Sequence, residues 1–325
     1  GIKVKSFITG TARMRQRPLG ELVEKLNELG AKVTYIEKEA YPPILVEGKK
    51  LKGGAVEIDA SISSQFISAL LLIAPTMSKG IEIKLMGDIG SAPYIEMTIK
   101  IMRDFGIHVE QQGRLISVKK QSYLKNMEYQ VESDWSAASY WYQMAAFSDE
   151  VDIHLLGLKK DSTQGDSIIA EWAKVFGVES TFDDEGVHLK KSKTIEKALK
   201  IDFQAYPDLA QTIITAAAGL KIPGEFVGLK SLRLKETDRI DALVCELSAL
   251  GADITSDGDQ INLGVSDLKA TRKVNVYSDH RMAMAFAPLS LCLGEIRIDS
   301  PAVVAKSYPH FWEDLERVGF ELEEI

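Results

Sequence analysis

Two kinds of helix alternate along this chain. The first is amphipathic, ends in Gly and runs straight into a short alternating strand. Leu26-Asn27-Glu28-Leu29-Gly30-Ala31-Lys32-Val33 and Met102-Arg103-Asp104-Phe105-Gly106-Ile107-His108-Val109 show it, and it returns around Gly177, Gly251 and Gly319. The interval of about 70 residues is that of a supersecondary unit, not of a small solenoid repeat. Gly in that place can adopt the left-handed cap conformation, which lets the chain turn from helix into strand. The second kind, over 64–74, 136–147, 209–220 and 281–293, is apolar or small on nearly every side. A helix with no polar face is expected to be buried all round. Strand segments such as 56–59 and 260–263 lie between the helices. The order predicts an α/β fold of repeated βαβαββ units, turned inside out, with helices at the centre and sheets outside.

Counting buried helices divides the chain. From about Glu132 onward three units are expected, with buried helices beginning near Ser136, Leu209 and Arg281 and amphipathic partners ending at Gly177, Gly251 and Gly319. Before that point the pattern supplies only one and a half units. The chain opens on a predicted strand over 3–9 and an amphipathic helix with no buried helix before it. The expected organisation is therefore an incomplete N-terminal domain over 1–132 and a second domain over 133–325.

With 325 residues, 45% hydrophobic and 26% charged, the chain can bury two ordinary cores. Its formal charge of −8 argues against a nucleic-acid partner, which needs a basic stripe. The apolar runs near 66–74 and 282–293 are too short to cross a bilayer, and no secretory signal opens the sequence, so no membrane association is expected. Cys245 and Cys292 both lie inside apolar helical patterns; a reduced, cytoplasmic protein is the expectation. His108, His154, His188 and His310 show no metal-ligand spacing, and no metal or cofactor is expected. The chain is expected to be a monomer.

Charge is concentrated at three places where helices begin. Leu232-Arg233-Leu234-Lys235-Glu236-Thr237-Asp238-Arg239-Ile240 reads as the first turn of a helix whose apolar residues Ile240, Leu243, Val244 and Leu247 follow at helical spacing. Ser278-Asp279-His280-Arg281 opens the next apolar helix, and Ala305-Lys306-Ser307-Tyr308-Pro309 precedes the last. Free N–H groups and guanidinium forks at helix starts favour a multiply anionic small molecule.

These motifs together resemble the 5-enolpyruvylshikimate-3-phosphate synthases, the 3-phosphoshikimate 1-carboxyvinyltransferases of aromatic amino-acid synthesis. The resemblance is carried by the runs over 63–75, 235–240, 279–287 and 300–312 and extends from about Thr9 to the C-terminus. It implies transfer of the enolpyruvyl group of phosphoenolpyruvate to the 5-hydroxyl of shikimate 3-phosphate, through a tetrahedral adduct and loss of phosphate, without cofactor or metal. Two domains of three units each are also implied. The segments absent by that standard lead to the expectation of a truncated form with little activity alone.

Residue by residue, the resemblance assigns Arg17, Gln65, Arg239, Arg281 and Lys306 to phosphoenolpyruvate. It assigns Ser63, Ser64, Gln65, Ser91, Tyr94, Asp208, Ser231 and Lys235 to shikimate 3-phosphate. Asp208 would act as base on the 5-hydroxyl and Glu236 would protonate the methylene carbon, while Asp134 reads as structural. Ser231 stands where the family commonly has Asn, and Trp135 is bulkier than the usual residue there. The alternatives are a UDP-N-acetylglucosamine enolpyruvyl transferase, which shares fold and reaction, and a non-catalytic binding module of the same repeat.

Overall fold

A computed structural model describes residues 4–61, 63–192 and 195–324. The chain divides into two compact units, Gly1–Gln130 and Val131–Ile325.

The first unit contains, in order, β1 (Lys5–Ile8), α1 (Gly20–Glu28), β2 (Val33–Tyr35), β3 (Ile44–Glu47), β4 (Gly54–Asp59), α2 (Ser64–Ile73), β5 (Ile81–Met86), α3 (Ala92–Asp104), β6 (Val109–Gln112) and β7 (Leu115–Val118). Of the predicted strand over 3–9, Lys3 lies outside the described residues. The run β4-α2-β5-α3-β6-β7 is a full βαβαββ unit. Its sheet has the order β4-β5-β7-β6, with β4 and β5 parallel and the rest antiparallel. Burial alternates along β5, so Ile81, Ile83 and Leu85 face the helices while Glu82 and Lys84 face outward.

The second unit contains α4 (Trp135–Phe147), β8 (Asp152–Leu156), α5 (Ile169–Trp172), β9 (Val178–Phe182), β10 (Gly186–Lys191), β11 (Leu199–Asp202), α6 (Ala210–Gly219), β12 (Gly224–Val227), α7 (Arg239–Ala249), β13 (Ile254–Asp257), β14 (Gln260–Leu263), β15 (Lys273–Val274), α8 (His280–Phe286), α9 (Ser290–Leu293), β16 (Arg297–Ile298) and α10 (Phe311–Arg317). The run β11-α6-β12-α7-β13-β14 repeats the topology of the first unit strand for strand, with order β11-β12-β14-β13 and only β11 and β12 parallel. Around it lie a three-stranded sheet, β8-β10-β9, and the parallel pair β15-β16. The helix count gives three pairs here, but among the described residues only the middle pair is flanked by all four of its strands.

Helices do occupy the centre. Nine consecutive residues of α6, Ala210 to Ala218, are buried, as are nine of the thirteen in α4. The small side chains of α6 permit close approach, and some polar ones pair across helices, Ser139 Oγ with Thr212 Oγ1 at 3.0 Å and Gln143 Nε2 to Thr215 Oγ1 at 2.9 Å and to the Ala285 carbonyl at 2.9 Å, whereas both amide atoms of the buried Gln211 make no hydrogen bond. Most fully buried polar groups are paired in this way. The apolar helix α2 departs from the expectation of burial all round, since only Ile67, Leu70 and Leu71 are hidden. It packs on α3, with Ser68 Oγ and Thr98 Oγ1 2.8 Å apart, whereas α4, α6 and α8 pack on one another. The five Gly turns form as expected, with positive φ at Gly30 (100°), Gly106 (80°), Gly177 (74°), Gly251 (99°) and Gly319 (97°).

Candidate functional site

A buried charge cluster forms in the second unit where α6, α7 and α8 begin. The expected first turn over 232–240 is instead a 3₁₀ turn, Lys230–Leu234, a short link, and then α7 starting at Arg239. The physical reason is Asp238, whose carboxylate caps the Ile240 and Asp241 N–H groups at 3.1 and 3.2 Å and fixes the helix start there. Lys235 and Glu236 therefore stand just ahead of the helix, and Arg239 is its first residue, 1% exposed.

Arg239 is held on three sides. Its Nε donates to Asp279 Oδ2 at 2.7 Å, Nη2 to Glu236 Oε2 at 2.9 Å, and Nη1 to Asp208 Oδ1 at 3.2 Å. Asp279 caps α8 through the Arg281 N–H at 2.9 Å, so one carboxylate fixes both the helix start and the guanidinium. Asp208, in the 3₁₀ turn that leads into α6, accepts from Lys235 Nζ at 3.2 Å and, on its other oxygen, from Arg281 Nη2 at 3.1 Å. Arg281 also reaches the Asp208 carbonyl at 3.3 Å and Ser136 Oγ at 3.4 Å. Ser136 in turn donates to the buried Asp166.

The electrostatics follow from that geometry. Burial alone would raise the Asp208 carboxyl, but the charges of Arg281, Lys235 and Arg239 outweigh it and hold the group well below the usual carboxylate range. Asp279 is buried and lowered in the same way by Arg239. Burial lowers His280, whose Nδ1 is enclosed without a hydrogen bond, and it pushes the Tyr140 hydroxyl up to about 12. The cluster thus interleaves three cations, Lys235, Arg239 and Arg281, with three carboxylates, and Asp208 is the one that touches all three cations.

Of the sequence-predicted residues, Asp208, Lys235, Glu236, Arg239 and Arg281 come together here. Ser231 lies in the 3₁₀ turn that leads into the cluster. Lys306 donates to the Ser278 carbonyl at 2.7 Å, next to Asp279. Arg233, in the same charged run, is instead taken up by Asp238, Asp241 and Asp259 at 2.8–3.2 Å and fastens the loop. Asp134 caps α4 through the Ser136 N–H at 2.8 Å. Ser136, Asp166, Asp279 and His280 were not singled out as site residues. The motif over 278–281 contains two of them, whereas the sequence around Asp166 carries no signal.

The remaining predicted residues belong to the first unit. Ser63 has extended backbone and precedes α2, which opens with Ser64 and Gln65. Ser91 precedes α3 with φ 55° and ψ 37°, a left-handed conformation that costs a non-Gly residue energy. Tyr94 follows, its N–H on the Ser91 carbonyl at 3.1 Å. Arg17 is half-buried at the end of the 3₁₀ turn Met14–Gln16.

Comparison with known proteins agrees with the motif reading. A family model described as EPSP synthase (3-phosphoshikimate 1-carboxyvinyltransferase) matches residues 1–315. A 3-phosphoshikimate 1-carboxyvinyltransferase of Bacteroides fragilis is 45% identical over 96% of this chain and 77% of its own length. One from Psychromonas ingrahamii is 38% identical over 96% and 73%. The solved EPSP synthase of Acinetobacter baumannii matches 99% of this chain and 75% of its own with a TM-score of 0.76 and 26% identity. The chain spans about three quarters of the length of each of these relatives.

Proposed function

The chain belongs to the EPSP synthase (3-phosphoshikimate 1-carboxyvinyltransferase) family, and on that premise we propose how its residues divide the transfer of an enolpyruvyl group from phosphoenolpyruvate to shikimate 3-phosphate. The observation that supports the division is a single carboxylate, Asp208, bonded to three cations at 3.1–3.2 Å.

Arg239, Arg281 and Lys306 bind phosphoenolpyruvate, with Arg17 and Gln65 carried over on the family motif. Guanidinium suits this work because its planar fork fixes an oxyanion bidentately and never deprotonates. Ser63, Ser64, Gln65, Ser91 and Tyr94 receive shikimate 3-phosphate, together with Asp208, Ser231 and Lys235. An arriving anion competes with Asp208 for Lys235 and Arg281. As those cations turn to the substrate, the Asp208 carboxylate loses part of its stabilisation and gains basicity.

It then takes the proton of the 5-hydroxyl while that oxygen bonds to the central carbon of phosphoenolpyruvate. Glu236, beside Arg239, gives a proton to the methylene carbon, completing the tetrahedral adduct. Glu236, now a carboxylate, takes a proton back from the new methyl group as the bond from the central carbon to the phosphate oxygen breaks, and the departing phosphate takes up the proton held by Asp208, so the double bond and both groups are restored. General acid–base groups contribute about 10²–10⁴-fold each, and the cation cage stabilises the charge that develops on phosphate.

Phosphate release with shikimate 3-phosphate and, separately, with UDP-N-acetylglucosamine tests the acceptor; the relatives' names favour the former. Turnover with the amino-sugar nucleotide alone would overturn the reading. The proposed organisation keeps a domain over 1–132, about one and a half units, and a second over 133–325. We place the protein in the cytoplasm as a monomer; no helix among the described residues is long and apolar enough to cross a membrane.

A further inference from the structure

Outside the charge cluster, the outer face of the sheet β8-β10-β9 gathers two imidazoles and a carboxylate. His154 and His188 are directly opposed in the β8–β10 register. Burial alternates along β10, with Val187 and Leu189 facing the core, so His188 projects from the far face. The two rings stack in parallel, centroids 3.7 Å apart and 13° between planes. Their Nε2 atoms turn to the same group: Asp183 Oδ2 lies 2.6 Å from His188, and Asp183 Oδ1 lies 3.5 Å from His154.

Asp183 is held rigidly by the hairpin turn that joins β9 to β10. Its Oδ1 accepts the N–H groups of Glu185 at 2.9 Å and Gly186 at 2.8 Å. His188 and those two amides keep its carboxyl below the usual range, so it is an anion at neutral pH. His154 Nε2, by contrast, is enclosed and makes no hydrogen bond. An enclosed imidazole nitrogen that makes no hydrogen bond, 3.5 Å from a carboxylate oxygen and stacked on a second imidazole, brings three ligand-type groups together in one place.

We propose that His154, His188 and Asp183 form a binding site for a divalent transition-metal ion of the zinc class. One ligand atom from each residue can be chosen so that all three lie within 4.8 Å of one another. Zinc takes His nitrogen at about 2.0–2.1 Å and carboxylate oxygen at about 2.0–2.2 Å in tetrahedral geometry, so the stacked rings would part to turn their nitrogens and Asp183 onto one ion, with water in the fourth place. Imidazole and carboxylate together suit zinc, cobalt or nickel and not a purely oxygen-seeking cation. The ion would replace the hydrogen bond between His188 and Asp183, satisfy His154, and tie strand β8 to the β9–β10 hairpin. The site shares no residue with the charge cluster.

Zinc titrated into metal-stripped protein at pH 7.5 against a competing chromophoric chelator tests this. The expected result is one tight equivalent. His154→Gln and His188→Gln should each weaken it at least about tenfold, since even outer partners of metal ligands are worth 10–100-fold. His310→Gln, in an exposed pair with Glu313 on α10, should leave it unchanged. Zinc should raise the melting temperature of the wild type and not of the two variants, because only a folded-state site is stabilised by mass action. A readout needing no variant is protection of the wild-type histidines from diethylpyrocarbonate, mapped by mass spectrometry. Binding only at millimolar zinc, variants that bind as the wild type does, or His154 and His188 modified at the same rate with and without zinc would each overturn the proposal.

Discussion

Replacing Asp208 by Asn separates the two roles that the cage gives this residue. In the free protein its carboxylate faces Lys235, Arg239 and Arg281 at 3.1–3.2 Å. At an effective dielectric of about 20, one such pair is worth about 5 kcal/mol before desolvation is counted. Removing one partner of a buried pair costs about 3–5 kcal/mol, because the remaining charges stay buried without it. Asp208→Asn should therefore lower the urea midpoint, and the three cations left behind should attract any anion more strongly. Wild-type protein must displace its own carboxylate to bind phosphate or phosphoenolpyruvate; the variant need not. Affinity for inorganic phosphate, read by calorimetry, should rise at least about tenfold, or 1.4 kcal/mol. Turnover, read by phosphate release below the variant's melting range, should fall about 10²–10⁴-fold. Opposite changes in anion affinity and rate are the signature of an internal anion that is also the base. Unchanged phosphate affinity with unchanged turnover would refute both parts of the reasoning.

Glu236→Gln keeps a side chain of the same shape beside Arg239 but has no transferable proton, so phosphoenolpyruvate affinity should hold while turnover drops about 10²–10⁴-fold; wild-type turnover would leave Glu236 a structural role beside Arg239. Arg281→Ala should weaken phosphoenolpyruvate binding by about 2–5 kcal/mol, as expected when one member of a buried charge pair is cut away, and an unchanged affinity in steady-state assays would remove it from the site. Asp208 and Asp279 are held below the ordinary carboxylate range in the folded state, so their contribution is full above the unfolded value of about 3.9 and is lost as pH falls through the lower folded values. Denaturant midpoints measured from neutral to acid pH should decline chiefly below about pH 4, and less steeply for Asp279→Asn, which keeps the α8 cap but not the charge; parallel curves would sink the assignment.

The repeat was legible in the sequence because its signals are local. A Gly after an amphipathic helix must take positive φ, and at all five positions it does. A helix such as α6, with Ala, Thr and Ile on every side, has only the interior to occupy. What was not legible were boundaries and partners set by single side-chain contacts. The start of α7 shifted because Asp238, not an earlier residue, caps it, while Arg233 ahead of it is held by Asp259 on the β13–β14 hairpin. Likewise the incomplete burial of α2 follows from which helices surround it, and its own composition does not contain that information.

The site divides along the same line. Glu236, Arg239 and Arg281 stood in compact motifs, where several charges adjoin a helix start, whereas Asp208 is the only charge in its stretch and came in through the family resemblance alone; these four converge. Asp166 gave no sign, because its place beside Ser136 comes from packing α4 against the 3₁₀ turn Gly165–Ile168. The histidine pair is the sharper case. His154 and His188 are remote in sequence, and neither neighbourhood has ligand spacing; only the register of β8 on β10 makes them neighbours. A register shift of one residue would turn His154 towards the core and Leu155 outward. The buried alternation of Val187 and Leu189 therefore does more than fill the core. It fixes which outward residues meet, and so places two imidazoles and one carboxylate together on a face that sequence spacing alone marks as empty.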